Sequence, residues 1–262
     1  MTGSNGKGIV LQGRDRHLLA EVGAMRIIDR ETARLVAPFG SVTRANTRLL
    51  ALVRAGLLRR FFTGTACGGK KALYSLSPSG ARLIGAKASG PKRGRDELVV
   101  ADFFVAHQSA VNDLYCRFKY GADAPHGVLF RRWCAFSAPL DPGAPVIPDG
   151  YIECARPEKP LAAFVEVDLG HERLTVWQAK VRHYLRYAVS GRFGGQFGPA
   201  QFLVLAVANS PARMESLRKA TAKLTDKVFR FTTLGAINEA GLWSPIWLKP
   251  RGGEAYALAG TP

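Results

Sequence analysis

The chain has 262 residues, of which 47% are hydrophobic and 22% charged, and its formal net charge is +17. This apolar fraction supports a buried core, so the composition excludes a wholly disordered chain, and the length predicts one large or two small domains. The sequence contains no run of about 18 apolar residues and no signal-peptide pattern, which predicts a soluble, cytoplasmic protein with no membrane partner. Four widely spaced cysteines without a CxxC pair argue against a disulfide framework and a zinc knuckle.

The positive charge is concentrated near the start of the chain. Residues 1–95 hold 18 Lys and Arg against four acidic residues, a net charge of +14, whereas the rest holds 19 basic and 16 acidic residues, a net charge of +3. Such a concentration is typical of a unit that binds a polyanion. The composition changes at AKASGPKRGR, where we predict an interdomain linker. The predicted segments are a flexible N-terminus (1–13), a first domain (14–85), a basic linker (86–95), a second domain (96–250) and a C-terminal tail (251–262).

Hydrophobic spacing in the first domain predicts three helices, a β-hairpin and a short closing helix. The second helix begins after Asp29 and the third after Ser41, because each of these residues is a good N-cap. Two short strand-like runs, 57–63 and 72–76, are joined by a glycine-rich segment and therefore predict the hairpin.

This order of elements, with TRLLALVRAGLLRR before the hairpin and LSPSGARL after it, resembles the winged-helix domains of many prokaryotic repressors. We therefore expect the first domain to bind double-stranded DNA, with the third helix as its recognition helix. The alternative is that the exposed arginines of this domain contact another protein. The candidate DNA-binding residues lie on the third helix, off its apolar stripe, or at the hairpin tip: Thr43, Arg44, Thr47, Arg48, Lys70 and Lys71.

The second domain is predicted to contain a helix, three strands, a second helix and a fourth strand, followed by another helix and further extended segments. This order is typical of a mixed α/β fold. The predicted bounds are 96–121 for the first helix, 128–136, 146–154 and 161–169 for the strands, 175–189 for the second helix, 201–208 for the fourth strand, 211–223 for the third helix, and 229–233 and 245–248 for the extended segments.

Carboxylates interrupt two of these otherwise apolar strands, although burying one unpaired costs several kcal/mol. The strand period of two places Glu166 and Asp168 on one face of the third strand, and Asp149, Tyr151 and Glu153 on one face of the second. If the two strands are neighbours, Asp149 and Glu166 converge. A buried cluster of this kind needs a cation, and oxygen ligands suit Mg²⁺ or Mn²⁺.

The helix that follows adds a cationic group to this region. Trp177, Lys180, Val181 and Tyr184 follow helical spacing, so Lys180 is expected to face the sheet. Two structural alternatives are that Lys180 extends outward along Trp177, or that the carboxylates pair with it without any catalytic role.

The motifs Pro148-Asp149 and Glu166-Val167-Asp168, in a helix–three strands–helix–strand order, resemble the PD-(D/E)xK nuclease superfamily. Together with the winged helix, the PDG sequence and the KxxxY helix, the chain resembles more closely the bacterial and plasmid replication-relaxation family, over residues 14–235. The fold class implied is α+β or α/β, an N-terminal winged helix followed by a PD-(D/E)xK-type αβββαβ core. The resemblance implies these roles: Asp149 and Glu166 as metal ligands, Asp168 as a further ligand or water-orienting carboxylate, and Lys180 as the catalytic cation.

One position departs from the superfamily motif. A lysine usually lies two residues after the acidic residue, where this sequence has Asp168. Either Lys180 on the helix supplies the cation, or the lineage has moved from cleavage to binding. His171 and Glu172 either add a ligand or simply precede the helix, and we favour the second interpretation.

Two functions remain open at this point. The first is a DNA-binding protein with a Mg²⁺- or Mn²⁺-dependent endonuclease domain, nicking or cleaving DNA in plasmid or mobile-element replication and relaxation. The second is a catalytically inactive replication or transcription regulator that uses the nuclease-like domain for dimerisation or DNA clamping. Winged-helix proteins often bind palindromes as dimers, so a homodimer fits either function. Tyr184 and Tyr187 could be imagined as relaxase nucleophiles, but a core-facing Tyr184 favours a structural role.

Overall fold

The computed structural model describes residues 9–64, 68–86, 102–143, 145–156 and 159–259. The chain divides into two compact units, Met1–Asn112 and Asp113–Pro262. Helices and strands are mixed in an α+β arrangement. Among the described residues, no helix combines the length and the apolar character needed to cross a membrane. The predicted linker lies outside the described residues except for Ala86.

Up to Ala86, the described residues of the first unit form three helices, a hairpin and a short closing helix, as the hydrophobic spacing predicts. Asp29 and Ser41 are the predicted N-caps: Asp29 Oδ1 accepts from the Thr32 amide at 2.7 Å, and Ser41 Oγ from the Arg44 amide at 3.2 Å. A two-residue strand, too short to give an alternating pattern, adds to the hairpin in the antiparallel order β1-β3-β2. The elements are α1 (Gly13–Met25), β1 (Ile28–Asp29), α2 (Arg30–Val36), α3 (Val42–Arg54), β2 (Leu58–Gly64), β3 (Lys70–Leu76) and α4 (Pro78–Leu83).

The division between the units falls inside helix α5 (Asp102–Tyr120). Its N-terminal half belongs to the first unit, because Val105 joins a buried cluster with Ile27, Phe61 and Leu73. Asn112 Nδ2 also donates to the Ile27 carbonyl at 2.7 Å. The sequence places the whole of this helix in the second domain, since its apolar spacing does not reveal which partner each half contacts.

The second unit is built on one mixed sheet with the strand order β10-β9-β8-β7-β6-β5-β4. Strands β6, β7 and β8 are parallel, and the other neighbouring pairs are antiparallel. The elements after α5 are β4 (Leu129–Cys134), β5 (Gly150–Ala155), β6 (Leu161–Asp168), α6 (Leu174–Val189), α7 (Arg192–Phe197), β7 (Leu203–Ala208), α8 (Pro211–Ala222), β8 (Phe229–Thr233), α9 (Leu234–Ala240), β9 (Trp247–Leu248) and β10 (Ala255–Tyr256).

Strand β6 lies at the centre of this unit, and all eight of its residues are buried. One face, which includes Phe164, packs in a core with Trp177 and Tyr184 of α6 and Leu217 of α8. The nearly uninterrupted apolar run in the sequence correctly predicts a strand covered on both sides.

Several features of the second unit differ from the sequence prediction, which lacks helix α9 and places strand β10 in a C-terminal tail. Strand β5 begins at Gly150 rather than at residue 146, so Asp149 lies just ahead of the strand. Pro148 has no amide hydrogen to contribute to a strand ladder, which accounts for the late start. Helix α7 is also absent from the prediction, because its sequence RFGGQF contains two glycines, which disfavour helices.

Candidate functional site

The three predicted acidic residues lie at and beside the carboxyl end of β6. Glu166 and Asp168 are the sixth and eighth residues of that strand, and both are buried. The Asp149 amide donates to the Val165 carbonyl at 3.1 Å, and Asp149 Oδ2 accepts from the Val167 amide at 2.8 Å. This register places Asp149 beside Glu166, so the two carboxylates converge.

Glu166 is held by two side chains from α6. Lys180 Nζ lies 3.0 Å from Glu166 Oε2, and the Tyr184 hydroxyl donates to Glu166 Oε1 at 2.5 Å. Lys180 also forms an ion pair with Glu172 at 3.0 Å, just ahead of the helix. Lys180 therefore faces the sheet, and a carboxylate on each side of it balances its charge.

Burial dominates the electrostatics of this cluster. Burial raises the pKa of Glu166 to about 7, and the nearby Asp149 charge adds to this effect, whereas Lys180 and the Tyr184 hydroxyl oppose it. Burial also raises the pKa of Tyr184, and Glu166 raises it further. Burial alone would lower the pKa of Lys180, but Glu166 and Glu172 together raise it. The lysine is thus held as a cation, while the glutamate is poised to bind a proton near neutral pH.

Asp168 is held by a residue that the sequence analysis did not identify. Arg213, in the first turn of α8, donates from Nε at 2.9 Å and from Nη2 at 2.7 Å, one to each carboxylate oxygen. The Gly170 amide donates to Asp168 Oδ1 at 2.6 Å, and Arg213 Nη2 also bonds the Glu172 carbonyl. Asp168 is therefore a fully paired carboxylate.

The carboxylates do not fit a divalent ion in the arrangement that they adopt. A Mg²⁺ or Mn²⁺ site requires several carboxylate oxygens that can turn toward one ion. Both oxygens of Glu166, both of Asp168 and one of Asp149 accept hydrogen bonds from protein donors. In the part of the chain that the structure describes, no group of three or more His, Cys, Asp or Glu is arranged to hold a metal ion.

The predicted DNA-binding residues have different environments. Thr43, Arg44 and Thr47 are exposed on α3, whose opposite side buries Ala45, Leu49 and Leu52. Lys70 is exposed at the start of β3, and its neighbour Lys71 is half-exposed and forms an ion pair with Asp29.

Arg48, like Lys71, pairs with a carboxylate of the same unit. Its Nε donates to Asp15 Oδ1 at 2.8 Å, and its Nη2 bonds Asp15 Oδ2 and, at 2.7 Å, the Val10 carbonyl. The Asp15 side chain is fully buried. Arg48 therefore joins α3 to α1, and it differs in this from the exposed Arg44 one turn earlier.

Sequence reasoning missed the contacts of the polar site residues Glu172, Tyr184 and Arg213. The contact of Tyr184 with Glu166 could have been predicted, since Tyr184 follows Lys180 by four residues on the same face of α6. The contact of Arg213 with Asp168 could not have been predicted from the sequence. It depends on the parallel pairing of β6 with β7, which brings the start of α8 beside the end of β6.

The profile of the replication-relaxation family matches residues 26–199, which is more than half of the chain. The chain belongs to the replication-relaxation family. The matched segment contains Asp149, Glu166, Asp168 and Lys180 and ends before Arg213. No curated protein and no solved structure matched the chain.

Proposed function

We propose that this member of the replication-relaxation family binds double-stranded DNA through a winged helix in its first unit, and that its second unit is a PD-(D/E)xK-like scaffold that does not cleave DNA. The observation that carries the second part is the pairing of Glu166 and Asp168 with side chains of the protein. Lys180 and Arg213 balance the two carboxylates in place of a metal ion.

The DNA-binding part rests on charge and topology. Three helices followed by a hairpin form a unit in which α3 exposes Thr43, Arg44 and Thr47 near its N-terminus. Residues 1–95 carry a net charge of +14. Cations of this kind bind phosphates, while the exposed end of a recognition helix faces base edges. We place Arg44 and Lys70 at the phosphate backbone and leave out Arg48 and Lys71, which pair with Asp15 and Asp29.

The scaffold part rests on the order and pairing of strands in the second unit. Apart from the short helix α7, which precedes β7, elements α5, β4, β5, β6, α6 and β7 follow the αβββαβ order, with β4, β5 and β6 antiparallel and β7 parallel to β6. Buried pairs at the end of β6 fasten α6 and α8 to the sheet. In this role the acidic residues contribute rigidity, and the unit supports replication or relaxation by holding DNA or a partner.

A metal-dependent endonuclease acting in plasmid or mobile-element replication is the second candidate. Asp149 lies beside Glu166, and Lys180 Nζ is 3.0 Å from the same carboxylate, which is the constellation that the superfamily resemblance implies. In this function Glu166 separates from Tyr184 to bind the metal ion, and Asp168 either separates from Arg213 as a further ligand or stays paired and orients water.

One experiment separates the two candidates. Supercoiled plasmid is incubated with the wild-type protein and with Glu166→Ala, each with Mg²⁺, with Mn²⁺ and with a chelator, and the topology of the plasmid is read on a gel. We expect the plasmid to be bound and to stay supercoiled in every lane. Relaxed circles that require both the metal and Glu166 would overturn the scaffold proposal and establish the endonuclease.

A second measurement tests DNA binding by the first unit. Affinity for duplex DNA is measured for the wild-type protein, for Arg44→Gln and for Arg54→Gln, a matched change at the other end of α3, where the side chain is also exposed. We expect weaker binding for Arg44→Gln alone. Equal affinity for all three proteins would contradict the proposed orientation of α3.

A further inference from the structure

A cavity of about 230 Å³ lies in the second unit, away from the acidic cluster. Leu203 lines it at the amino end of β7, whereas Asp168 is at the carboxyl end of the neighbouring parallel strand. Most of its lining also lies beyond residues 26–199, the segment that matches the family. The lining residues are Arg156, Leu203, Arg230, Trp247, Lys249, Tyr256, Ala257 and Leu258.

Three of these residues are cations, and no described residue that lines the cavity is acidic. Arg230 makes its hydrogen bond to a backbone carbonyl, that of Phe229 at 2.8 Å, and burial lowers the pKa of its guanidinium. Lys249 Nζ lies 4.4 Å from the centre of the Tyr256 ring. In the described part of the chain neither Arg230 nor Lys249 forms an ion pair, so no described carboxylate balances their positive charge.

The backbone around the cavity holds these cations in place. Arg156 donates from Nε to the Lys159 carbonyl at 2.7 Å and also bonds the Leu258 carbonyl. The Lys249 carbonyl accepts from Arg218 Nε at 2.9 Å. Glu254 is engaged with the Tyr256 hydroxyl at 2.6 Å and does not line the cavity. Like charges held together in a partly buried space repel one another, and a bound anion relieves that repulsion.

We propose that this cavity binds the phosphate group of a nucleotide. A guanidinium and an ammonium group match the oxygens of a phosphate, the first through paired hydrogen bonds and the second as a point charge. Tyr256, which is partly exposed, adds aromatic surface of the kind that single nucleotides contact. The cavity belongs to the second unit and α3 to the first. The nucleotide proposal therefore does not depend on duplex binding by the first unit.

Isothermal titration calorimetry with tetrathymidylate tests this site. The full-length protein is titrated with the 5′-phosphorylated oligonucleotide, with the same oligonucleotide lacking that phosphate, with thymidine 5′-monophosphate and with inorganic phosphate. We expect the phosphorylated oligonucleotide to bind about tenfold more tightly than the unphosphorylated one. Equally tight binding of thymidine 5′-monophosphate supports the site and identifies a free nucleotide as a sufficient ligand, whereas equally tight binding of inorganic phosphate overturns the nucleotide assignment.

Two variants locate the site, each with a matched exposed control. Arg230→Gln and Lys249→Gln should each weaken binding of the phosphorylated oligonucleotide, by about tenfold for the arginine, while Arg182→Gln and Lys223→Gln should not. Circular dichroism checks that each variant is folded. If Arg230→Gln does not fold, Lys249→Gln still tests the site. Unchanged affinity in the folded cavity variants, or no preference for the phosphate, overturns the proposal. Arg44→Gln should bind the phosphorylated oligonucleotide as tightly as the wild-type protein does. This result distinguishes binding at the cavity from duplex binding by the first unit.

Discussion

Arg213 donates to both carboxylate oxygens of Asp168, at 2.9 and 2.7 Å, although 45 residues separate them in the sequence. The two side chains are 16% and 6% exposed, so the pair is largely removed from water. It ties the first turn of α8 to the end of β6, and the Asn209 amide adds a bond to the Asp168 carbonyl at 3.0 Å. Both oxygens of Asp168, the third predicted metal ligand, therefore accept hydrogen bonds from the protein.

Breaking this pair from one side should destabilise the second unit. Asp168→Ala leaves a guanidinium with little water around it and without its counter-charge, and we expect the free energy of unfolding to fall by about 2–4 kcal/mol. The tryptophans, Trp133, Trp177, Trp243 and Trp247, all belong to the second unit, so their fluorescence during urea unfolding reports on that unit. The exposed Arg182→Gln is the control, and the double variant Asp168→Ala/Arg213→Ala should recover part of the loss. A single variant as stable as the control would show that the pair contributes nothing.

The acidic cluster should give the second unit a pH-dependent stability. Burial raises the pKa of Glu166 to about 7, from a usual value of 4.5. Between these values the folded protein holds a proton that the unfolded chain has released, so stability falls as the pH rises through this window. Glu166→Gln removes the ionisation and keeps a polar group beside Lys180 and Tyr184.

We therefore expect the wild-type protein to lose stability relative to Glu166→Gln, by about 1–3 kcal/mol between about pH 5 and about pH 8. Urea unfolding followed by tryptophan fluorescence at a series of pH values measures the difference. Parallel pH profiles for the two proteins would rule out Glu166 as the titrating group.

Arg48 and Arg44 are one helical turn apart on α3 and should behave in opposite ways. Arg48→Gln removes the partner of the buried Asp15, so we expect the first unit to lose about 2–4 kcal/mol of stability. Hydrogen exchange of peptides from α1 and α3 measures this loss within that unit. Arg44→Gln should leave exchange unchanged and reduce the dependence of DNA affinity on salt by about one phosphate contact. Faster hydrogen exchange in Arg44→Gln, together with unchanged exchange in Arg48→Gln, would contradict the roles given to both arginines.

Sequence periodicity predicts most of the elements and also the meeting of Asp149 with Glu166, because both follow from local spacing and from the pairing of two strands that are adjacent in the sequence. The partners of Asp168 and Arg48 could not be predicted in this way. Arg213 reaches Asp168 only through the parallel neighbour β7, and Arg48 reaches Asp15 only through the packing of α3 on α1. Helical spacing alone gives Arg44 and Arg48 the same outward position. The structure separates them because a buried carboxylate lies beside one of them.

Close packing of Trp133 explains the glycine of the PDG sequence, Gly150. A Cβ on Gly150 would lie 2.2 Å from Trp133 Cζ2 and 2.3 Å from Cη2, so the indole of β4 packs directly on the glycine backbone at the start of β5. Trp133 has little freedom to move, since its ring also meets Tyr115 edge-on with a 5.3 Å centroid distance.

We therefore expect Gly150→Ala to lower the free energy of unfolding by about 1–3 kcal/mol through overpacking. Gly195→Ala in α7 is the control, because no atom lies within 4 Å of its added Cβ, and it should be neutral or stabilise α7 by up to about 1 kcal/mol. Urea unfolding followed by tryptophan fluorescence compares the two, and an equal effect of both substitutions would contradict close packing of Trp133 on Gly150.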